Sequence, residues 1–297
     1  MNMADAVPLP PMISYAQNGE DVVLRRALWD ITAGFYVDIG SSYPDTDSVT
    51  RHFYENGWTG VNVDPLPAYL PLMVKKRPKD INLCIAISDT PGYLTFYEDP
   101  VHPGNSTCDP DVAEAHRRNG ISLSERRVST ITLEQLLASY SGNRTIDFLK
   151  IDVEGIEDQV IRGNDWTKYR PRILIVEKHI EGIRMGKEES KWGTTLSAVG
   201  YEKVLYDGLN EFWLRQEDAF RKEWLAIPAN ILDNYVLSRQ SSFVVQLSAE
   251  ISALEFQRDE ILRQRDEILN SRSWRLSKSF RFLARLLRGL TGHCQGK

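Results

Sequence analysis

Cysteine is scarce in this chain of 297 residues, and the three present, Cys84, Cys108 and Cys294, are scattered without metal-ligand spacing. That excludes a disulfide scaffold and points to a reducing compartment. Long apolar runs are absent too: nothing approaches the roughly 18 residues that a membrane span needs. The opening MNMADAVPLPPM has no basic segment followed by an apolar core, so it does not read as a secretory signal. The expected location is the cytoplasm. No GxGxxG follows the first apolar run, FYVDIG, which weighs against a hydride-transferring oxidoreductase on a dinucleotide-binding fold.

Negative charge is missing from one place only. After Glu267 there is no Asp or Glu, but seven basic residues follow, which leaves 29 basic against 41 acidic residues ahead of them, a net −12. An acidic body argues against nucleic acid as a partner. The basic tail places Leu276, Phe280, Leu283, Leu287 and Leu290 on one helical face and Lys278, Arg281, Arg285 and Arg288 on the other. Such a helix over 272–290 suits peripheral contact with the inner, anionic face of a membrane, or docking on an acidic protein surface. Just before it, Leu247, Ile251, Leu254, Ile261 and Ile268 follow steps of three and four, and Arg-Asp-Glu-Ile-Leu occurs twice, at 258–262 and 265–269. This is a heptad pattern with arginine at two core positions, and it predicts a short helical stalk or weak coiled coil able to self-associate.

What is present ahead of the stalk is a regular alternation. Apolar runs at 35–40, 60–64, 82–89, 147–153 and 172–179 read as buried strands, with helical stretches at 48–56, 68–76, 133–140 and 156–164 between several of them. This pattern predicts an α/β fold with a parallel sheet and right-handed crossovers. Two further runs, 201–207 and 211–216, are separated by only three residues and must be antiparallel neighbours. Residues 219–240 read as helical, and the polar stretch between Glu98 and Arg127 as a lid or acceptor-side loop. The predicted organisation is a lead-in and short helix over 1–34, a catalytic-type domain over 35–240, a stalk over 241–271 and the basic tail over 272–297.

Chemistry is expected at the carboxyl ends of the strands, where open α/β sheets bind ligands. Gly40 permits a sharp turn after the first strand, and Asp38 and Ser41 flank it. Asp64 ends the second strand, placed to bond ribose hydroxyls of a nucleoside cofactor, and Ser88 and Asp89 end the third, where an adenine edge would lie. Asp152 and Glu154 close the fourth strand, Glu177 and His179 the fifth, each pair spaced to point to one side. Acids inside an apolar strand are costly unless used or paired. Lys150, Lys178 and Arg172 are the candidate counter-ions.

The stretches SYAQNGEDVVL, FYVDIGSSYPDTDSVTRHFYENGWTGVNVDP, INLCIAISDTPGYLTFYE, IDFLKIDVEGIEDQVIRG, YRPRILIVE and DGLNEFWL, in this order over residues 13–235, resemble the FkbM family of methyltransferases. The resemblance implies a class I methyltransferase fold, Rossmann-like, with a seven-stranded mostly parallel sheet and a terminal antiparallel hairpin. It also implies S-adenosylmethionine as methyl donor, and O-methylation of a sugar, glycan or small metabolite. Carried over, the cofactor-binding positions are Asp38, Gly40, Ser41, Asp64, Ser88 and Asp89, and Asp152 to Gly155 is the fourth-strand motif. The closing SRSWRLSKSFRFLARLLRG is similar to tails on bacterial polysaccharide-assembly enzymes, which makes polysaccharide biosynthesis the expected setting. Two places depart from the family: Ser41, Ser42 and Tyr43 follow the first strand, and Glu211 stands where the hairpin usually carries arginine.

The expected reaction is in-line methyl transfer to a hydroxyl, with His179 first and Asp152 second as general base, and Glu154 and Glu177 beside them. No metal is assigned, although Asp152, Glu154 and Glu177 are carboxylates of the kind that bind a divalent ion. The competing reading is a non-catalytic scaffold with a degenerate cofactor site in a glycan-assembly complex.

Overall fold

The computed structural model of the chain describes residues 10–178, 190–277 and 280–281. They fall into two compact units, one ending at Ser242 and one beginning at Phe243. In the first, β1 (Met12–Ser14) and α1 (Glu20–Ala27) lead into β2 (Phe35–Ile39), α2 (Arg51–Glu55), β3 (Thr59–Val63), α3 (Tyr69–Lys76) and β4 (Ile81–Leu83). A second group follows: β5 (Ala86–Ser88), β6 (Gly92–Glu98), α4 (Pro110–Arg118), β7 (Ser124–Thr132) and α5 (Leu133–Tyr140). The chain then returns through β8 (Phe148–Ile151), α6 (Glu157–Arg162), β9 (Ile173–Glu177), α7 (Gly193–Ala198), β10 (Tyr201–Tyr206) and β11 (Asn210–Arg215). It closes with α8 (Lys222–Leu225) and β12 (Tyr235–Leu237).

The main sheet has seven strands in the order β10-β11-β9-β8-β2-β3-β4. It is mixed: β9, β8, β2, β3 and β4 run parallel, and β11 is inserted antiparallel between β9 and β10. The alternation of side chains explains why both faces are covered. In β2, Phe35, Val37 and Ile39 join a core with Leu149, Leu174, Leu136 and Trp213, while Tyr36 packs the other way with Phe148, Ile175, Leu24 and Phe53. A strand with apolar side chains on both faces is stable only when both are buried in this way. From β2 the chain moves outward to β3 and β4, then returns to the opposite side of β2 as β8 and β9. Strand order therefore reverses between β2 and β8, and this is where the crevice of an open α/β sheet forms.

Three expectations are corrected. The apolar run 82–89 is not one strand: β4 ends at Leu83, and β5 belongs to a separate three-stranded sheet with β7 and β6. Residues 219–240 are not one helix, since α8 stops at Leu225, Pro228 cannot continue a helix, and β12 follows the left-handed Asn234. The polar stretch 98–127 holds α4, whose Asp109 cap accepts backbone N–H bonds from Asp111 and Val112.

The second unit contains α9 (Ser242–Asn270) and α10 (Arg272–Leu276). Most of the basic tail expected over 272–290 lies outside the described residues. Among the described residues, no helix is long and apolar enough to cross a membrane.

Candidate active site

A cavity of about 320 Å³ opens at the carboxyl ends of β2, β3, β8 and β9. Its floor is the turn after β2. Gly40 has φ +82°, and a Cβ there would lie 1.7 Å from the carbonyl oxygen of Asp152, so the ends of β2 and β8 approach too closely for any other residue. The backbone N–H groups of Gly40 and Ser41 both donate to the Val63 carbonyl, which ties the turn to the end of β3. Ser42, Asp47 and Glu154 all have φ between 51° and 57°, and all three line the cavity. Non-glycine residues held in this region cost of order 1–3 kcal/mol each and tend to gather at functional sites.

Asp64 follows β3, and its carboxylate accepts from the backbone N–H of Ser42 (3.0 Å) and of Leu66 (2.8 Å). Burial pushes this carboxyl up to about 6. Asp38, on β2, accepts from Thr50 through Oδ2, and burial raises its pKa as well. Its Oδ1 has no hydrogen-bond partner, only the Lys150 ammonium at 3.8 Å.

Lys150 is the link between the two sides of the switch. It sits inside β8, 7% exposed, and its ammonium donates to Asp152 Oδ2 at 2.8 Å and to the Gly40 carbonyl at 3.5 Å. Burial alone would lower its pKa, but Asp152 and then Asp38 outweigh that and hold it above the ordinary value. Asp152 is likewise pulled two ways: burial would raise it, and Lys150 together with a hydrogen bond from Glu177 brings it down. Glu177 goes strongly upward, first through burial and then through the Asp152 charge. The two opposite shifts favour the negative charge on Asp152 and disfavour it on Glu177.

The structure gathers most of the expected site residues. Asp38, Gly40, Ser41, Asp64, Asp152, Glu154 and Glu177 all line the cavity. Ligand oxygens of Asp152, Glu154 and Glu177 lie within 4.8 Å of one another. Glu154 does not get there by strand alternation, because β8 ends at Ile151 and the left-handed turn at Glu154 redirects it. Glu157 holds that turn by accepting the N–H groups of Val153 and Gly155.

Ser88 and Asp89, expected at the adenine edge, are not among the lining residues. Ser88 donates to Gln159, and Asp89 pairs with Arg162 at 3.1 Å. Because β5 has left the main sheet, the wall there is made by Ile85, Ala86 and Ile87 instead. His179 lies outside the described residues. Glu211 is also not at the cavity. It is 1% exposed and accepts from Ser190, Trp192, Trp213 and Lys203, so this acid pins the packing beneath β11.

Lining residues not singled out in the sequence are headed by Gln17 and Asp47; Lys150 was expected only as a counter-ion, and Pro103–Ser106 fall within the stretch expected as a lid or acceptor-side loop. Lys150 carried a signal: a lysine within an apolar strand is as costly to bury as an acid. Gln17 carried none, because it reaches the cavity through a docked N-terminal segment. There, buried Glu20 accepts from the Asn18 N–H and from the Asn210 side chain beside β9, and burial pushes its carboxyl up to about 7.

The family model described as Methyltransferase FkbM domain matches residues 38–202. That is more than half of the chain and includes every lining residue except Gln17, so the chain belongs to the FkbM methyltransferase family. No curated protein matches the chain.

Proposed function

We propose that this FkbM-family methyltransferase uses S-adenosylmethionine to methylate a hydroxyl of a sugar, glycan or related small acceptor. The observation that carries the reading is the cavity at the β2/β8 switch point, whose described lining residues include six carboxyl residues (Asp38, Asp47, Asp64, Asp152, Glu154, Glu177) and one lysine, Lys150. That donor set fits a positively charged sulfonium and a free amino group, and the unpartnered Asp38 Oδ1 offers an acceptor for one of them. Bound there, S-adenosylmethionine would supply an electrophilic methyl group needing no further activation by the protein.

The chain's own residues then have six tasks. Asp64, fixed by two backbone N–H groups, accepts from ribose hydroxyls. Asp38 and the Gly40–Ser41 turn hold the amino-acid end of the cofactor. Asp152 stays ionised beside Lys150 and receives the hydrogen bond of a neighbouring, non-reacting hydroxyl of the acceptor, which fixes the reacting oxygen for in-line attack and leaves that oxygen's own proton free to be taken. His179, two residues past Glu177, takes the proton. Glu177 keeps its own proton and donates to Asp152, so a carboxylate does not face a second carboxylate. Lys150 supplies the positive charge that a divalent ion would otherwise bring to Asp152.

Polysaccharide biosynthesis is the setting we infer, because the basic tail would keep the enzyme at an anionic membrane surface where glycan precursors gather. Calorimetry with purified protein is expected to show S-adenosylmethionine binding, and tritium from the labelled methyl group should appear on a component of a cell-envelope extract. Absence of binding heat overturns the enzyme reading. Binding without transfer returns the scaffold. Deleting 272–297 should abolish pelleting with anionic vesicles, and retained pelleting refutes the tail's role.

A further inference from the structure

The helix α9 runs for 29 residues, and the large apolar side chains of its seam from Leu247 onward are exposed. Leu247, Ile251, Leu254, Ile261 and Ile268 are each between 45% and 65% exposed, and Val244 continues their seam toward the N-terminus. A lone helix with such a stripe is marginal in water, because helical stability comes mainly from packing its apolar face. Arg258 and Arg265 interrupt the seam, each turned aside onto the aspartate that follows it.

We propose that α9 pairs with α9 of a second copy of this chain as an antiparallel coiled coil, with Ile251 of one copy opposite Ile261 of the other. The arginines decide the direction. In a parallel pair, Arg258 would stack on Arg258 and Arg265 on Arg265, and Glu250 would face Glu255 of the other copy across the flank. Both contacts set like charges together.

Reversing one helix removes them. Leu254 then lies opposite Arg258 and Leu247 opposite Arg265, while Val244 meets Ile268. Each arginine lays its aliphatic stem over a leucine and sends its guanidinium to water. Around the two-fold axis, the two Arg258 guanidiniums come beside the two Glu255 carboxylates, a neutral cluster. The seam is thus complementary to itself in one direction only, which is why a second copy fits it better than an unrelated apolar surface.

The test uses the full-length protein. Sedimentation equilibrium at tens of micromolar is expected to give a dimer, and Ile251→Asp, which spoils two layers at once, a monomer with unchanged circular dichroism. A wild-type monomer overturns the proposal. Direction is read by a short bismaleimide after Cys84, Cys108 and Cys294 are replaced by serine. A mixture of Ile251→Cys and Ile261→Cys chains should cross-link to each other, whereas Ile251→Cys chains alone should not, because the two sites sit ten residues, or about 15 Å, apart along the axis. Cross-linking of Ile251→Cys with itself would mean a parallel pair and would sink the assignment.

Discussion

The two ends of the same parallel strands carry charged clusters built in opposite ways. At the amino ends, Asp147 accepts from Arg172 and from the Phe35 N–H, and Asp218 takes Arg172, Arg215 and Arg221. Arg221, 2% exposed, also holds both oxygens of Asp30. At the carboxyl ends, one lysine serves Asp38 and Asp152, while Asp38 Oδ1 and Glu177 Oε2 have no hydrogen-bond partner. The amino-end charges are paired to completion, since an unpaired buried group costs more than a pair gains. Charges kept short of partners mark where a ligand completes the set.

Breaking each end should therefore cost different things. Asp152→Asn is expected to reduce turnover roughly 10²–10³-fold, about 3–4 kcal/mol of barrier, with S-adenosylmethionine affinity nearly unchanged; kcat and calorimetry together check this. Asp218→Ala should instead cost about 3 kcal/mol in chemical denaturation, by leaving Arg221 short of a partner, with cofactor affinity of the folded protein intact. If the two variants exchanged phenotypes, the contrast between the ends would fail.

Acidity sharpens it further. The folded pKa of Glu20, about 7, lies above its ordinary 4.5. The folded state therefore binds more protons between those values. Its contribution to stability is full below 4.5 and is lost as pH rises through about 7. Denaturation between pH 5 and 8 should show a decline of about 2 kcal/mol that Glu20→Gln flattens. Asp64→Asn should weaken S-adenosylmethionine about tenfold, or 1.4 kcal/mol, while leaving stability alone. Smallest of all is the effect of chelation: with Lys150 supplying the cation, activity should survive EDTA.

Much of this was legible in the sequence, and the rest fails for identifiable reasons. The runs at 35–40, 60–64, 147–153 and 172–179 mark strands because burial on both faces writes continuous apolar stretches, and the short link after Tyr206 forces an antiparallel neighbour. The break between Leu83 and Ala86 is invisible because β5 leaves the sheet to pair with Thr130–Thr132, more than forty residues away. That one long-range pairing misplaced Ser88 and Asp89. Glu154 was found by the wrong route, since alternation predicted a direction that a left-handed turn supplies. Lys150 was read only as a counter-ion, and its distance to Gly40 shows that it also braces the turn.

The docking of β1 has a consequence in time. Met12–Ser14 pair with Tyr235–Leu237, and the neighbouring Arg26 is held by Asp233. A ribosome must release more than two hundred further residues before the first strand finds its mate, and domains emerge N-terminus first at about 5–20 residues per second. Until then Gln17 has no anchored place on the cavity wall. A truncated or half-made chain can assemble the β2 turn, yet it stays open on that side. The pocket wall at Gln17 is thus completed only once β12, more than two hundred residues later, has been made.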